Sequence, residues 1–134
     1  MPTNVFFDTN VLIYALVEDD PRKERARALL SAGGAISVQV LNEFVSVAHR
    51  KIRKSWTEIT AALEAIRIAF PDPVALTFQT HETAVSVAQR YGIGIYDALI
   101  VASALEANCG ILYSEDMQDG QVIEGRLTIQ NPFA

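Results

Sequence analysis

Short apolar runs alternate along this chain with longer stretches of helical periodicity. Residues 4–8 form a compact apolar run that ends in an acid, Asp8, and read as a buried strand. Helical apolar character follows from Thr9 to about Val17. Glu18-Asp19-Asp20-Pro21 breaks it, with Pro21 suited to open the next helix. That helix reaches about Ala32, turns Ala26, Leu29 and Leu30 inward, and ends at Gly33-Gly34. Residues 35–38 read as a second strand. Residues 39–52 form a long helical pattern with Leu41, Phe44, Val45 and Ala48 on one face. Ser55 followed by Glu58 is a capping-box signature for a helix running to about Phe70, which Pro71-Asp72-Pro73 breaks. Residues 74–78 read as a third strand, and Thr80 as the cap of a helix reaching Tyr91, with Gly92 and Gly94 ending it. Residues 96–107 form an alanine-rich helix with apolar residues on several sides. Residues 110–113 read as a fourth strand, and the alternation over residues 126–130 as a fifth, at an edge.

Strands separated by helices predict βαβ units. The expected fold class is therefore α/β, a mainly parallel sheet of four to five strands flanked by helices. At 134 residues the chain suits one domain. Half of it is apolar, enough for a core without staples. Cys109 has no partner for an internal disulfide and no companion ligands at zinc spacing, which fits a reducing cytoplasm. Asp8 and Asn10 interrupt the apolar start, and no basic region precedes it, so neither a signal peptide nor a membrane span is expected.

The formal charge of −5 argues against nucleic-acid binding when taken alone. Its distribution changes the picture. Eight of the 11 basic residues fall in two clusters, Arg22, Lys23, Arg25 and Arg27, and Arg50, Lys51, Arg53 and Lys54. Two solvated helix ends would explain them equally well.

Sites in open parallel sheets form beyond the carboxyl ends of the strands. Asp8 ends the first strand, and Asp116 lies three residues past the fourth. Glu43 lies in a helix between Val40 and Val47, beside the apolar stripe, where an ionised acid is costly without compensation. Asp97 opens the alanine-rich helix. Each has an ordinary alternative: Asp8 and Asp97 as helix caps or first-turn acids, Glu43 as a boundary residue, Asp116 as a loop polar group. Convergence of all four would be different, because crowded carboxylates stay ionised only with a bound cation. Oxygen ligands select hard ions, Mg²⁺ or Mn²⁺, and such ions support metal-assisted phosphodiester hydrolysis.

The residues Phe7-Asp8-Thr9-Asn10-Val11-Leu12, Asn42-Glu43-Phe44, Tyr96-Asp97-Ala98-Leu99-Ile100, Leu112-Tyr113-Ser114-Glu115-Asp116-Met117 and the closing Asn131-Pro132-Phe133 together resemble PIN domains. The likeness is to the VapC-like toxins of type II toxin–antitoxin systems in particular, and it spans nearly the whole chain. It implies a PIN-like three-layer sandwich, Mg²⁺ or Mn²⁺ in an acidic pocket, and endonucleolytic RNA cleavage that leaves 5′-phosphate and 3′-hydroxyl ends. Asp8 and Asp97 would hold the principal cation. Asp116 and Glu43 would complete its shell directly or through water, while Thr9, Asn10 and Ser114 orient them. Arg22, Lys23, Arg50 and Lys51 are candidates for steering the RNA backbone. The resemblance also implies a homodimer and a cognate antitoxin. One position departs from the pattern: Ser114-Glu115-Asp116 stands where Thr-Asn-Asp is common. Asp119 therefore remains open as the fourth acid, although Asp116 holds the family position. A catalytically silent RNA- or partner-binding protein and a stand-alone RNA-processing nuclease are the competing readings. His49 and His81 lie in no motif, which disfavours a metal-free histidine nuclease. The glycine fingerprint of a dinucleotide binder is absent.

Overall fold

The computed structural model describes residues 4–17 and 19–134. Its first strand, β1 (Val5–Phe7), explains the layering. Consecutive strand residues point to opposite faces, and Phe6 and Phe7 are both fully buried, so the sheet is covered on both sides. Helices α1 (Thr9–Leu16), α2 (Lys23–Ser31), α3 (Val38–Arg50), α4 (Trp56–Ala69), α5 (Phe78–Tyr91) and α6 (Ile95–Glu106) precede β2 (Ile111–Tyr113), β3 (Val122–Ile123) and β4 (Leu127–Gln130). The strand order is β1-β2-β4-β3. β1, β2 and β4 are parallel, and β3 runs antiparallel to β4. The expected α/β class, with a mainly parallel four-stranded sheet between helices, is what the structure shows.

With strands of two to four residues, ladder hydrogen bonds at about 1 kcal/mol net each contribute little. The buried side chains decide. Phe6, Phe7, Leu112, Leu127 and Ile129 are fully enclosed, and each such side chain adds roughly 1.5–3 kcal/mol.

Several elements differ from the sequence expectation. Residues 35–38 and 74–78 are not strands: they reduce to isolated parallel bridges, Phe6 to Ala35 and Ser37 to Val74. Side-chain capping cuts both short. Ser37 accepts from the Val40 amide and starts α3 at Val38. Thr77, not Thr80, caps α5, and Thr80 is its reciprocal partner in a capping box. Phe78, expected in a strand, is the first residue of α5 and is exposed. β4 is interior, and β3 occupies the edge. A tight turn with positive φ at Glu124 and Gly125 joins them, closed by the Arg126 amide donating to Ile123 O at 3.1 Å. α2 starts at Lys23, two residues past Pro21. The Ser55–Glu58 capping box and the left-handed Gly92 stop are present as expected.

Candidate active site

Because β1, β2 and β4 are parallel, their carboxyl ends share one edge of the molecule. The ladder continues past them: the Asp8 amide donates to Tyr113 O at 2.9 Å and the Ser114 amide to Gln130 O at 3.0 Å. Asp8 and Ser114 are thereby fixed side by side. Asp8 is 3% exposed. Its Oδ1 accepts from the Thr9 amide at 2.7 Å, which makes it the cap of α1. Its Oδ2 accepts from Ser114 Oγ at 2.7 Å and from Asn10 Nδ2 at 3.4 Å. The cap and the site are thus one residue. Burial pushes the Asp8 carboxyl up to about 7 against the Ser114 and Thr9 donors, and Asp97 and Asp116 add to the rise.

Asn10 joins the two halves of the site. Its Nδ2 also donates to Asp116 Oδ2 at 3.2 Å, and its Oδ1 accepts from the Glu115 amide at 3.4 Å. Ser114 Oγ accepts from the Asp116 and Met117 amides at 3.2 and 3.3 Å. On α3, Glu43 is half-buried, and its Oε2 accepts from Gln39 Nε2 at 3.1 Å. Burial raises its pKa, and Asp97 and Asp116 reinforce the shift. Asp97, in the first turn of α6, is raised by burial and then by Asp116.

Asp8, Glu43, Asp97 and Asp116 line one hollow of about 240 Å³, together with Tyr14, Val47, Lys51 and Glu115 among others. Four acids from four distant segments meet there, and three of them have raised pKa values. Among the described residues no three such groups form a ready coordination shell. An open, all-oxygen set of this kind suits a small hard cation that keeps part of its water. The donors present therefore fit Mg²⁺ or Mn²⁺.

Of the other expected residues, Thr9 and Lys51 line the hollow, whereas Asp119, Arg22, Lys23 and Arg50 do not. Asp119 does not line this hollow, and its Oδ1 instead accepts from the Asn131 amide at 2.9 Å. The Thr9 hydroxyl donates to Val40 O at 3.3 Å and not to a carboxylate. It ties α1 to α3, and only the Thr9 backbone serves Asp8. Arg22 is held by Asp20 at 2.8 Å and by Glu115, with its guanidinium 4.1 Å from the Tyr14 ring centre. Its charge is already compensated. Lys23 and Arg50 do not line the hollow, whereas Lys51 does. Glu43 and Val47 share one face of α3, and Lys51, the residue that caps its carboxyl end, follows at the same spacing of four. Sequence reasoning missed Tyr14, whose hydroxyl donates to Glu115. It also missed Gln39, one turn before Glu43. The spacing of four from Asn10 to Tyr14 and from Gln39 to Glu43 was the available signal.

An α/β sandwich with an acidic hollow beyond parallel strands defines a class of proteins whose sites lie outside the carboxyl ends of the strands. Within it, the PIN domain family model matches residues 5–118, and the chain belongs to that family. The family is one of nucleases, which generally use divalent metals. Similar solved structures include a toxin–antitoxin complex from Klebsiella pneumoniae, at 24% identity and TM-score 0.72, covering 97% of this chain and 98% of that one. Another is VapC20 of Mycobacterium tuberculosis, a sarcin–ricin loop cleaving toxin, at 22% identity and TM-score 0.68, covering 84% and 90%. A third is VapBC2 from Rickettsia felis bound to a promoter DNA fragment, at 19% identity and TM-score 0.66, covering 95% and 98%. At these identities the likeness is one of fold. No curated protein sequence matches the chain.

Proposed function

We propose that the chain is a Mg²⁺- or Mn²⁺-dependent endoribonuclease and the toxin of a toxin–antitoxin pair. The observation that carries this reading is the meeting of Asp8, Glu43, Asp97 and Asp116 in one hollow. Asp8 and Asp97 would hold the cation, and Asp116 and Glu43 would complete its surroundings directly or through water. When bound, such an ion lowers the pKa of water and offsets charge on the phosphoryl group. Asn10 and Ser114 keep the Asp8 and Asp116 carboxylates oriented. Glu43 Oε2 is engaged by Gln39, which leaves Oε1 to take a proton from the attacking water, and burial suits it to that task. Lys51, exposed at the carboxyl end of α3 and lining the same hollow, holds a flanking phosphate.

The toxin role is supported by neighbours solved as toxin–antitoxin complexes. An antitoxin partner, a homodimer and a cytoplasmic location belong to the same reading. No helix among the described residues is long and apolar enough to cross a membrane. The test is incubation of the purified protein with Mn²⁺ and a structured RNA. Cleavage should fall at least about 100-fold in Asp97→Asn, with circular dichroism showing the fold retained. Equal activity in the variant would remove Asp97 from the site and this reading with it.

A further inference from the structure

A second hollow of about 240 Å³ adjoins the first and shares two of its walls, Asp97 and Asp116. Its remaining lining differs in chemistry. Lys51 faces the first hollow, but no cation lines the second. Tyr91, Ile93 and Met117 supply apolar surface, and Gln118 and Gln121 supply amides. Gly92 and Gly94 complete the wall, and a Cβ on either would meet nothing within 4 Å, so the hollow stays open there. The loop's own hydrogen bonds use backbone groups. The Gln121 amide N donates to Gln118 O at 3.3 Å, and Gln121 O accepts from the Ile129 amide at 2.9 Å. That arrangement leaves both side-chain amides for a ligand. The Tyr91 ring is held in place because its hydroxyl accepts from the Glu124 amide at 2.9 Å.

We infer that this second hollow is a nucleobase subsite in which Gln118 and Gln121 read the base next to the scissile phosphate. The inference rests on the ribonuclease reading of the adjoining carboxylates. Beyond Asp97 and Asp116 the lining of the hollow carries no charge, so it offers nothing to hold a second phosphate. An uncharged planar ring needs no such charge. A glutamine amide presents a donor and an acceptor side by side, the pattern that pairs with a base edge. Apolar and aromatic walls add stacking surface, as in single-strand RNA recognition. A nucleotide whose phosphate lies at Asp97 and Asp116 places its base on one side of them or the other, and this side has the groups to distinguish bases.

The test separates the subsite from catalysis. The four uncharged ribonucleosides are titrated into the wild-type protein in EDTA, with the side-chain amide signals of Gln118 and Gln121 followed by NMR. At least one nucleoside should shift these signals, with affinities differing about tenfold across the four. The accompanying shifts of the Gly92 and Gly94 backbone amides, which line the same hollow, should be lost in the Gln118→Ala/Gln121→Ala double variant. In Mn²⁺, Gln121→Glu should change the ratio of kcat/KM between RNAs differing at the base beside the cut by about tenfold, through KM more than kcat. No shift with any nucleoside, or an unchanged ratio in Gln121→Glu, would overturn the subsite. Retained cleavage in Asp97→Asn would instead overturn the catalytic assignment, and the nucleoside titration reads independently of cleavage.

Discussion

At the amino ends of β1 and β2 lies a hollow of about 400 Å³ bounded by Asn4, Val5, Gly33, Gly34, Ala35 and Cys109 among others, with no charged side chain in its lining. At the carboxyl ends of the same strands, a smaller hollow of about 240 Å³ takes Asp8, Glu43, Asp97, Glu115 and Asp116. The larger space carries no chemistry and the smaller carries nearly all of it. The difference follows strand direction. Beyond the carboxyl ends the chain turns into α1 and the β2–β3 loop, where polar side chains cap and cross-link. At the amino ends small residues let the bridge segment lie close against β1.

The sharpest way to break this contrast is to alter one residue at each end. Asp97→Asn should cost at least about 100-fold in RNA cleavage. Cys109→Ala, at the opposite hollow, should leave activity per folded molecule unchanged in the same assay. Comparable losses from both would dissolve the distinction.

Next in size is a pH effect confined to the acidic end. The Asp8 carboxyl rises from 3.8 unfolded to about 7 folded. Below about pH 4 both states hold the proton and nothing is lost. Between about 4 and 7 the folded state binds the proton that the unfolded state has released, so stability falls as pH rises and then levels. The loss is at most about 4 kcal/mol on that shift, and the raised Glu43 and Asp97 act in the same direction. Urea denaturation in EDTA should therefore show a less stable protein at pH 8 than at pH 5. Asp8→Asn should flatten the slope and stabilise the metal-free protein at pH 8. At pH 5 the gain should vanish, because three donors converge on Asp8 and an amide offers one acceptor oxygen. A loss above ~1 kcal/mol at pH 8 would make Asp8 chiefly a structural cap.

At the amino end the sensitive quantity is packing. A Cβ on Gly34 would lie 2.6 Å from Phe7 Cε2 and 2.9 Å from the Val5 carbonyl oxygen. Gly34→Ala should cost about 1–3 kcal/mol of stability by overpacking, read by thermal denaturation, with no change in cleavage per folded molecule. The smallest effect is expected at Lys51. Lys51→Ala should weaken RNA binding uniformly across sequences and reduce the salt slope of log K by about 1, measured by fluorescence anisotropy.

The sequence makes the acidic end more legible than the sheet. Taken singly, Asp8, Glu43, Asp97 and Asp116 each have an ordinary reading; their motifs' resemblance to PIN domains marks them as a set, and the structure brings all four together. Asp119 could not be told from Asp116 by type. The deciding feature is the amide of Asn131, a contact across the chain that no local pattern encodes. Arg22 likewise resembled a free cation until Asp20 and Glu115 were found around it. In the sheet, the mostly apolar residues 74–78 read as a strand, yet the Thr77–Thr80 capping box wins because it satisfies helix-end amides. β3, two residues long, is too short for alternation to show.

The central claim, that distant carboxylates form one divalent-ion site, is tested most directly by Mn²⁺ binding followed by electron paramagnetic resonance of the free ion. Wild-type protein at pH 8 should remove at least one Mn²⁺ per chain from solution, and Asp8→Asn and Asp97→Asn should each abolish or sharply weaken that uptake while staying folded. Undiminished binding in both variants, or none in the wild type, would contradict it.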